Sequence, residues 1–170
     1  MDNERGIVRE AGQENGGFAD CIGELLALDE VKRLALYNQH CNTSRLRHSL
    51  GVAYFSYVIC KRLGWDCRAA ARAGILHDLF CYDWREEGHS AGLHTYLHPK
   101  CALENAERLV ADLTDVERDA IVSHMWPLSD SVPRHKEALV VSLVDKACCV
   151  AEIAAAGARA TKRGWKRIFA

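Results

Sequence analysis

Six residues of this chain carry nitrogen or oxygen donors suited to a divalent ion: His48, His77, Asp78, His98, His124 and Asp145. His77 and Asp78 are adjacent, and the remaining gaps run from 20 to 29 residues. Imidazole and carboxylate suit Fe, Mn, Co, Ni or Zn. Each of the six falls on a segment that reads as a helix. Helix bundles build metal sites from residues facing inward on neighbouring helices, so the spacing predicts one ion-binding centre assembled from several helices.

The elements that must position these residues follow from the apolar period, which is helical nearly throughout. A first helix is expected from near Phe18 to Tyr37, with a break near Leu28-Asp29. Thr43 or Ser44 offers a cap for a helix that carries His48 and stops at Gly64. Asp66 caps the next, expected through Ala69 to Leu79, which delivers His77 and Asp78 near its end. A loop from Cys81 to about Tyr96 follows, holding Asp83, Trp84, Arg85, His89 and His94. Pro99 then fits the first position of a helix opened by His98. Thr114 and Glu117 form a capping box for the helix that carries His124, which Pro127 ends. A last helix starts after Pro133 and runs to about Gly157, with Leu139, Leu143, Ala147 and Val150 on one side and Asp145 inside it. Strand signals are nearly absent. The expected class is therefore all-α, a compact multi-helix bundle with the metal site between helices. Residues 1–17 read as a flexible polar tail, 18–160 as a single domain, and 161–170 as a basic segment.

Composition bounds the function. The chain has 170 residues, 49% of them hydrophobic and 26% charged, and a net charge of -1. That is an ordinary globular composition with no global field for nucleic acid or anionic lipid. No apolar run reaches the roughly 18 residues that span a bilayer. The first 17 residues lack the apolar core of a secretory signal. The eight cysteines show no C-x-x-C pair, so they read as reduced thiols packed as small hydrophobes, which points to the cytoplasm. His40, His89, His94 and His135 read as surface or loop residues.

The ordered set His48, His77-Asp78 and Asp145 resembles that of the HD-domain metal-dependent phosphohydrolases, over about Thr43 to Ile153. His98-Pro99 and His124 extend the likeness to the six-ligand pattern of dinuclear HD proteins, including the HD-GYP cyclic-dinucleotide phosphodiesterases. The chain reads Ser-His-Met-Trp-Pro-Leu around His124 and has no Gly-Tyr-Pro element there. It is thus more similar to the short stand-alone bacterial HD proteins. The resemblance implies an HD-domain fold and two divalent ions, with Fe or Mn favoured and Ni, Co or Zn as options. It implies that Asp78 bridges the ions, that His48, His77 and Asp145 hold one, and that His98 and His124 hold the other.

On that reading the chain hydrolyses a phosphomonoester or phosphodiester of a nucleotide or small metabolite through a metal-bound hydroxide. Asp78 serves as bridging ligand and local proton acceptor. Phosphate oxygens also need cations, and Arg85 and Lys100 are the chosen substrate-binding candidates, Lys100 because it lies near an expected helix N-terminus. Arg47 and Lys146 each neighbour a ligand but are expected to diverge from it around the helix. Trp84, Tyr96 and Trp126 are read first as packing and second as base-stacking surfaces. The partner is a small phosphorylated substrate, with no membrane or nucleic acid, and the oligomeric state is left open. The alternatives are a mixed-valent di-iron oxygenase of the HD type and a non-catalytic metal-binding HD module.

Overall fold

The computed structural model describes residues 16–40, 43–81 and 91–168, with side chains at 17–39, 43–81 and 95–158. Helix α1 spans Gly16–Ala27 and buries Phe18, Ile22 and Leu25. Leu28 is extended, with φ of -66° and ψ of 134°, and this makes the expected break before the short α2, Asp29–Arg33. A 3-10 turn, Leu34–Leu36, leads to strands β1, Asn38–His40, and β2, Thr43–Ser44, which pair antiparallel. This small hairpin was not visible in the hydropathy pattern, because two to three residues are too few to show alternation.

Helix α3, Arg45–Leu63, starts at Ser44, whose hydroxyl accepts from the Arg47 amide. It ends at Gly64, where φ of 67° requires the left-handed region that glycine enters without strain. Asp66 then caps α4, Cys67–Leu76, by accepting from the Ala69 amide at 2.9 Å. Every residue of α4 from Ala69 to Leu76 is buried. A helix buried on all sides belongs at the centre of a bundle. Helices α1 and α3 pack on it, as do α5 (Ala91–Leu109), α6 (Asp115–Ser123) and α7 (Lys136–Ile168).

Charge ties α4 to α6. Arg72 is almost fully buried and donates to Glu117 Oε1 at 2.5 Å and to Asp112 Oδ1 at 2.8 Å. The other Glu117 oxygen accepts from the Thr114 amide at 2.7 Å and from the Thr114 hydroxyl, while Thr114 Oγ1 accepts from the Glu117 amide. The expected capping box is thus present, and it also fixes the buried arginine.

Three expectations need correction. Helix α4 ends at Leu76, so His77 and Asp78 lie in the turn beyond it rather than inside a helix reaching Leu79. Helix α5 begins at Ala91, so Pro99 stands inside it rather than at its first position. Proline removes one intrahelical hydrogen bond, and the burial of His98 and Pro99 against the bundle accompanies the continued helix. Helix α7 continues past Gly157 to Ile168 and takes in the basic segment. Its buried face is Ala138, Val141, Ser142, Val144 and Asp145, whereas Leu139, Leu143, Ala147 and Val150 face outward. The described residues are thus an all-α bundle apart from the hairpin. No described helix is long and apolar enough to cross a membrane. The cysteines among the described residues are free thiols.

Candidate metal centre

The bundle brings His48, His77, Asp78, His98, His124 and Asp145 together, all of them buried. His48 comes from the first turn of α3 and Asp145 from the inner face of α7. His77 is the C-terminal cap of α4, its amide bonded to Ala73 O at 2.8 Å. The chain then turns tightly, with the Phe80 amide donating to Asp78 O at 2.8 Å. Because Asp78 lies off the helix, its carboxylate is not held to the 100° divergence that separates adjacent helical side chains. His124 caps the C-terminus of α6, and His98 lies within α5.

Two clusters share this space. Asp145 Oδ1 lies 2.9 Å from His48 Nε2 and 3.7 Å from His77 Nε2. Asp78 Oδ2 lies 3.5 Å from His77 Nε2, while Oδ1 lies 3.4 Å from His98 Nε2 and 3.6 Å from His124 Nε2. The two Nε2 atoms of His98 and His124 are 2.9 Å apart. Ligand atoms of His48, His77 and Asp145 fall within 4.8 Å of one another, as do those of His77, Asp78 and His124. Asp78 therefore points one oxygen toward each cluster, and His77 stands between them.

The far side of three rings is fixed. His77 Nδ1 lies 2.9 Å from Gly74 O, His124 Nδ1 lies 2.7 Å from Ile121 O, and His48 Nδ1 lies 3.1 Å from Glu152 Oε1. For His77 and His124, an Nδ1–H donated to a carbonyl leaves Nε2 with its lone pair toward the centre, the arrangement metal-binding histidines adopt, whereas His48 Nε2 carries the proton it donates to Asp145 Oδ1. His77 Nε2 and Asp78 Oδ1 are buried without a hydrogen-bond partner. Burying such atoms unpaired costs about 1–3 kcal/mol each, more if charged, so their convergence fits a site that takes a cation.

The electrostatics agree for Asp78, Asp145 and His124 and run the other way for His48, whose proton an ion would have to displace. Burial alone would raise the Asp78 carboxyl, but the imidazoles of His77, His98 and His124 outweigh it and hold the group well below the usual carboxylate range. Burial also opposes the charge on Asp145, and the hydrogen bond with His48 again wins and keeps it low. Burial, then the neighbouring His98 and His77, push His124 down to about 3, so its ring is neutral at pH 7. Burial would lower His48 too, yet its bonds to Asp145 and Glu152 carry it up to about 10.

Four further residues shape the centre. Gln39, on β1, donates to Asp78 Oδ2 and accepts from Arg45 Nε at 3.0 Å. Arg45 is buried, lies 3.5 Å over the Phe80 ring and donates to Phe80 O at 2.5 Å, which ties β1, α3 and the turn holding Asp78. Glu152 orients His48. Its position seven residues past Asp145, two helical turns on, was a readable signal; nothing in the sequence marked Gln39. Lys146 Nζ reaches Asp145 Oδ2 at 3.1 Å and also donates to His124 O.

The substrate-binding candidates are less well served. Arg85 lies outside the described residues, as do Trp84 and His89 and the side chains of His40 and His94. Lys100 is exposed, two residues and about 200° around α5 from buried His98. Since α5 starts at Ala91, Lys100 has no helix N-terminus beside it. Tyr96 is exposed, and Trp126 is half-buried in the turn after α6. Arg47 diverges from His48 as expected and lines a cleft between α3 and α7 with Phe55, Cys148 and Glu152. His135, half-exposed, binds Asp119 and takes no part in the centre.

Comparison of the chain with family models, curated proteins and solved structures found no match.

Proposed function

We propose that this chain is a metal-dependent phosphohydrolase of the HD type, acting on a phosphomonoester or phosphodiester of a nucleotide or small metabolite. The observation that carries the reading is the placement of Asp78, one oxygen toward His77 and the other toward His98 and His124. A carboxylate between two histidine clusters is suited to bridge two ions.

His48, His77 and Asp145 would hold one ion, and His98 with His124 the other. Two such ions supply an acidified water at neutral pH and take up charge on phosphoryl oxygens. The chain's own groups supply the rest. The strong preference of Asp78 for the anionic form suits it to the bridge and makes it a poor proton acceptor at pH 7. Gln39 holds one Asp78 oxygen in place. Among the described residues, Lys146, about a quarter exposed at the rim of the centre, is the cation best placed to meet a phosphate oxygen.

The test is a panel of phosphomonoesters and phosphodiesters assayed for phosphate or alcohol release after loading with Fe or Mn. Release from at least one class, lost in Asp78→Ala, supports the reading. Iron-dependent oxygen consumption without phosphate release would replace it with the di-iron oxygenase. Metal binding with neither activity would favour a non-catalytic module.

A further inference from the structure

Helix α7 presents a donor that the six residues do not include. Cys149 lies four residues after Asp145, one turn on and on the same face. Its half-buried thiol donates to Asp145 Oδ1 with Sγ at 3.7 Å. His48 Nε2 and His77 Nε2 approach that same oxygen, at 2.9 Å and 3.7 Å. The tight group of donors is His48, His77 and Asp145, and the Cys149 sulfur stands outside it, meeting it through the Asp145 oxygen that His48, His77 and Cys149 all approach. A thiol beside a carboxylate would mean little alone. Here His77 Nε2, fully buried and without a hydrogen-bond partner, is aimed into the same space. The distance also fits. A tetrahedral ion ~2.1 Å from oxygen and ~2.3 Å from sulfur would set those two atoms roughly 3.6 Å apart.

We propose that Cys149 is a further protein ligand to the ion held by His48, His77 and Asp145, and that its sulfur biases that position toward zinc, cobalt or ferrous iron over manganese or magnesium. The proposal rests on the metal-centre reading above and adds the identity of the preferred ion. Coordination forms one sulfur–metal bond and releases the thiol proton to solvent, with no oxidant or reductant involved. Thiolate sulfur matches the softer ions, whereas manganese and magnesium prefer oxygen. Cys148 is an internal control, because it lines the cleft with Arg47 and Phe55.

Metal-free full-length protein, kept reduced, is titrated with cobalt(II) and followed by absorption. Wild type and Cys148→Ser should show an intense near-ultraviolet sulfur-to-cobalt charge-transfer band. Cys149→Ser and Cys149→Ala should lose it while keeping the weak visible ligand-field bands and the circular dichroism of the fold. Zinc affinity should fall about tenfold or more in Cys149→Ser, the scale on which metal sites respond to lost support, and manganese affinity should fall less than about threefold. Cobalt bound without the band, or a band that survives in Cys149→Ser, overturns the inference and leaves the metal centre intact. A wild-type protein that binds no cobalt overturns both.

Discussion

Gly74 lies against Ala53 so closely that a Cβ at position 74 would come 2.5 Å from the Ala53 Cα and 2.6 Å from its amide nitrogen. Helices α3 and α4 therefore cross backbone to backbone. The crossing brings His48 and His77 together, their ring centroids 5.5 Å apart, and Gly74 O also faces His77 Nδ1. Gly74→Ala must push the helices apart, since backbone atoms cannot move aside as a flexible side chain can. The expected loss is about 1–3 kcal/mol. At about 2–4 °C per kcal/mol for a chain of this size, thermal unfolding will show it as a clear drop in Tm. An unchanged Tm would mean that the two helices do not cross as described.

Glu117 and Asp112 both bind Arg72, and their substitutions should differ sharply. Glu117 is buried and Asp112 is largely exposed. Glu117→Ala leaves a buried guanidinium with one exposed partner and also breaks the Thr114 cap, so a loss of about 3–5 kcal/mol is expected. Asp112→Ala removes a solvent-screened partner and should cost less than about 1 kcal/mol. Urea unfolding of the two variants checks the order, and equal losses would contradict it.

Asp119 predicts an acid-sensitive loop. Its buried carboxylate accepts from the Arg134 and His135 amides, each at 2.8 Å, and from His135 Nδ1 at 2.9 Å. Burial alone would raise this group, but those hydrogen bonds outweigh it and lower it. A carboxyl lowered by folding adds stability that is fully present above its unfolded value near ~3.9 and is lost as pH falls through the lower folded value. Urea midpoints measured downward from about pH 5 should therefore fall more steeply for wild type than for Asp119→Asn. Parallel curves would count against the assignment.

Lys146 should matter for turnover more than for folding. Lys146→Gln removes a cation at the rim, and charged hydrogen bonds of about 1.5–3 kcal/mol correspond to roughly a 10- to 100-fold fall in kcat/KM. Tm should move little. Lys100→Gln, far around α5 from His98, should leave kcat/KM unchanged. The reverse pattern would return the phosphate contact to Lys100.

The caps and the buried cluster of four histidines and two aspartates were legible in the sequence for local reasons. Gly64, Asp66 and the Thr114–Glu117 box each act within four residues, so no tertiary knowledge is needed to see them. The six donors stand out by residue type and order. What was hidden depends on packing or on chain flexibility. Pro99 reads as a helix start, and only the packed bundle shows it inside α5. Helical spacing turns Lys146 away from its neighbour Asp145, yet four methylenes let its ammonium curl back to Asp145 and His124. Gln39 acts from a strand too short to leave a pattern. The stripe Leu139, Leu143, Ala147 and Val150 shows that apolar period alone does not say which side of α7 faces the core.

If Asp78 joins two ion sites, metal content per chain will show it. Protein purified anaerobically and reconstituted with Fe or Mn should bind two ions. His98→Ala and His124→Ala should each retain one, held by His48, His77 and Asp145, while Asp78→Ala should weaken both. A wild type that binds no metal, or histidine variants that still bind two ions, would contradict the account.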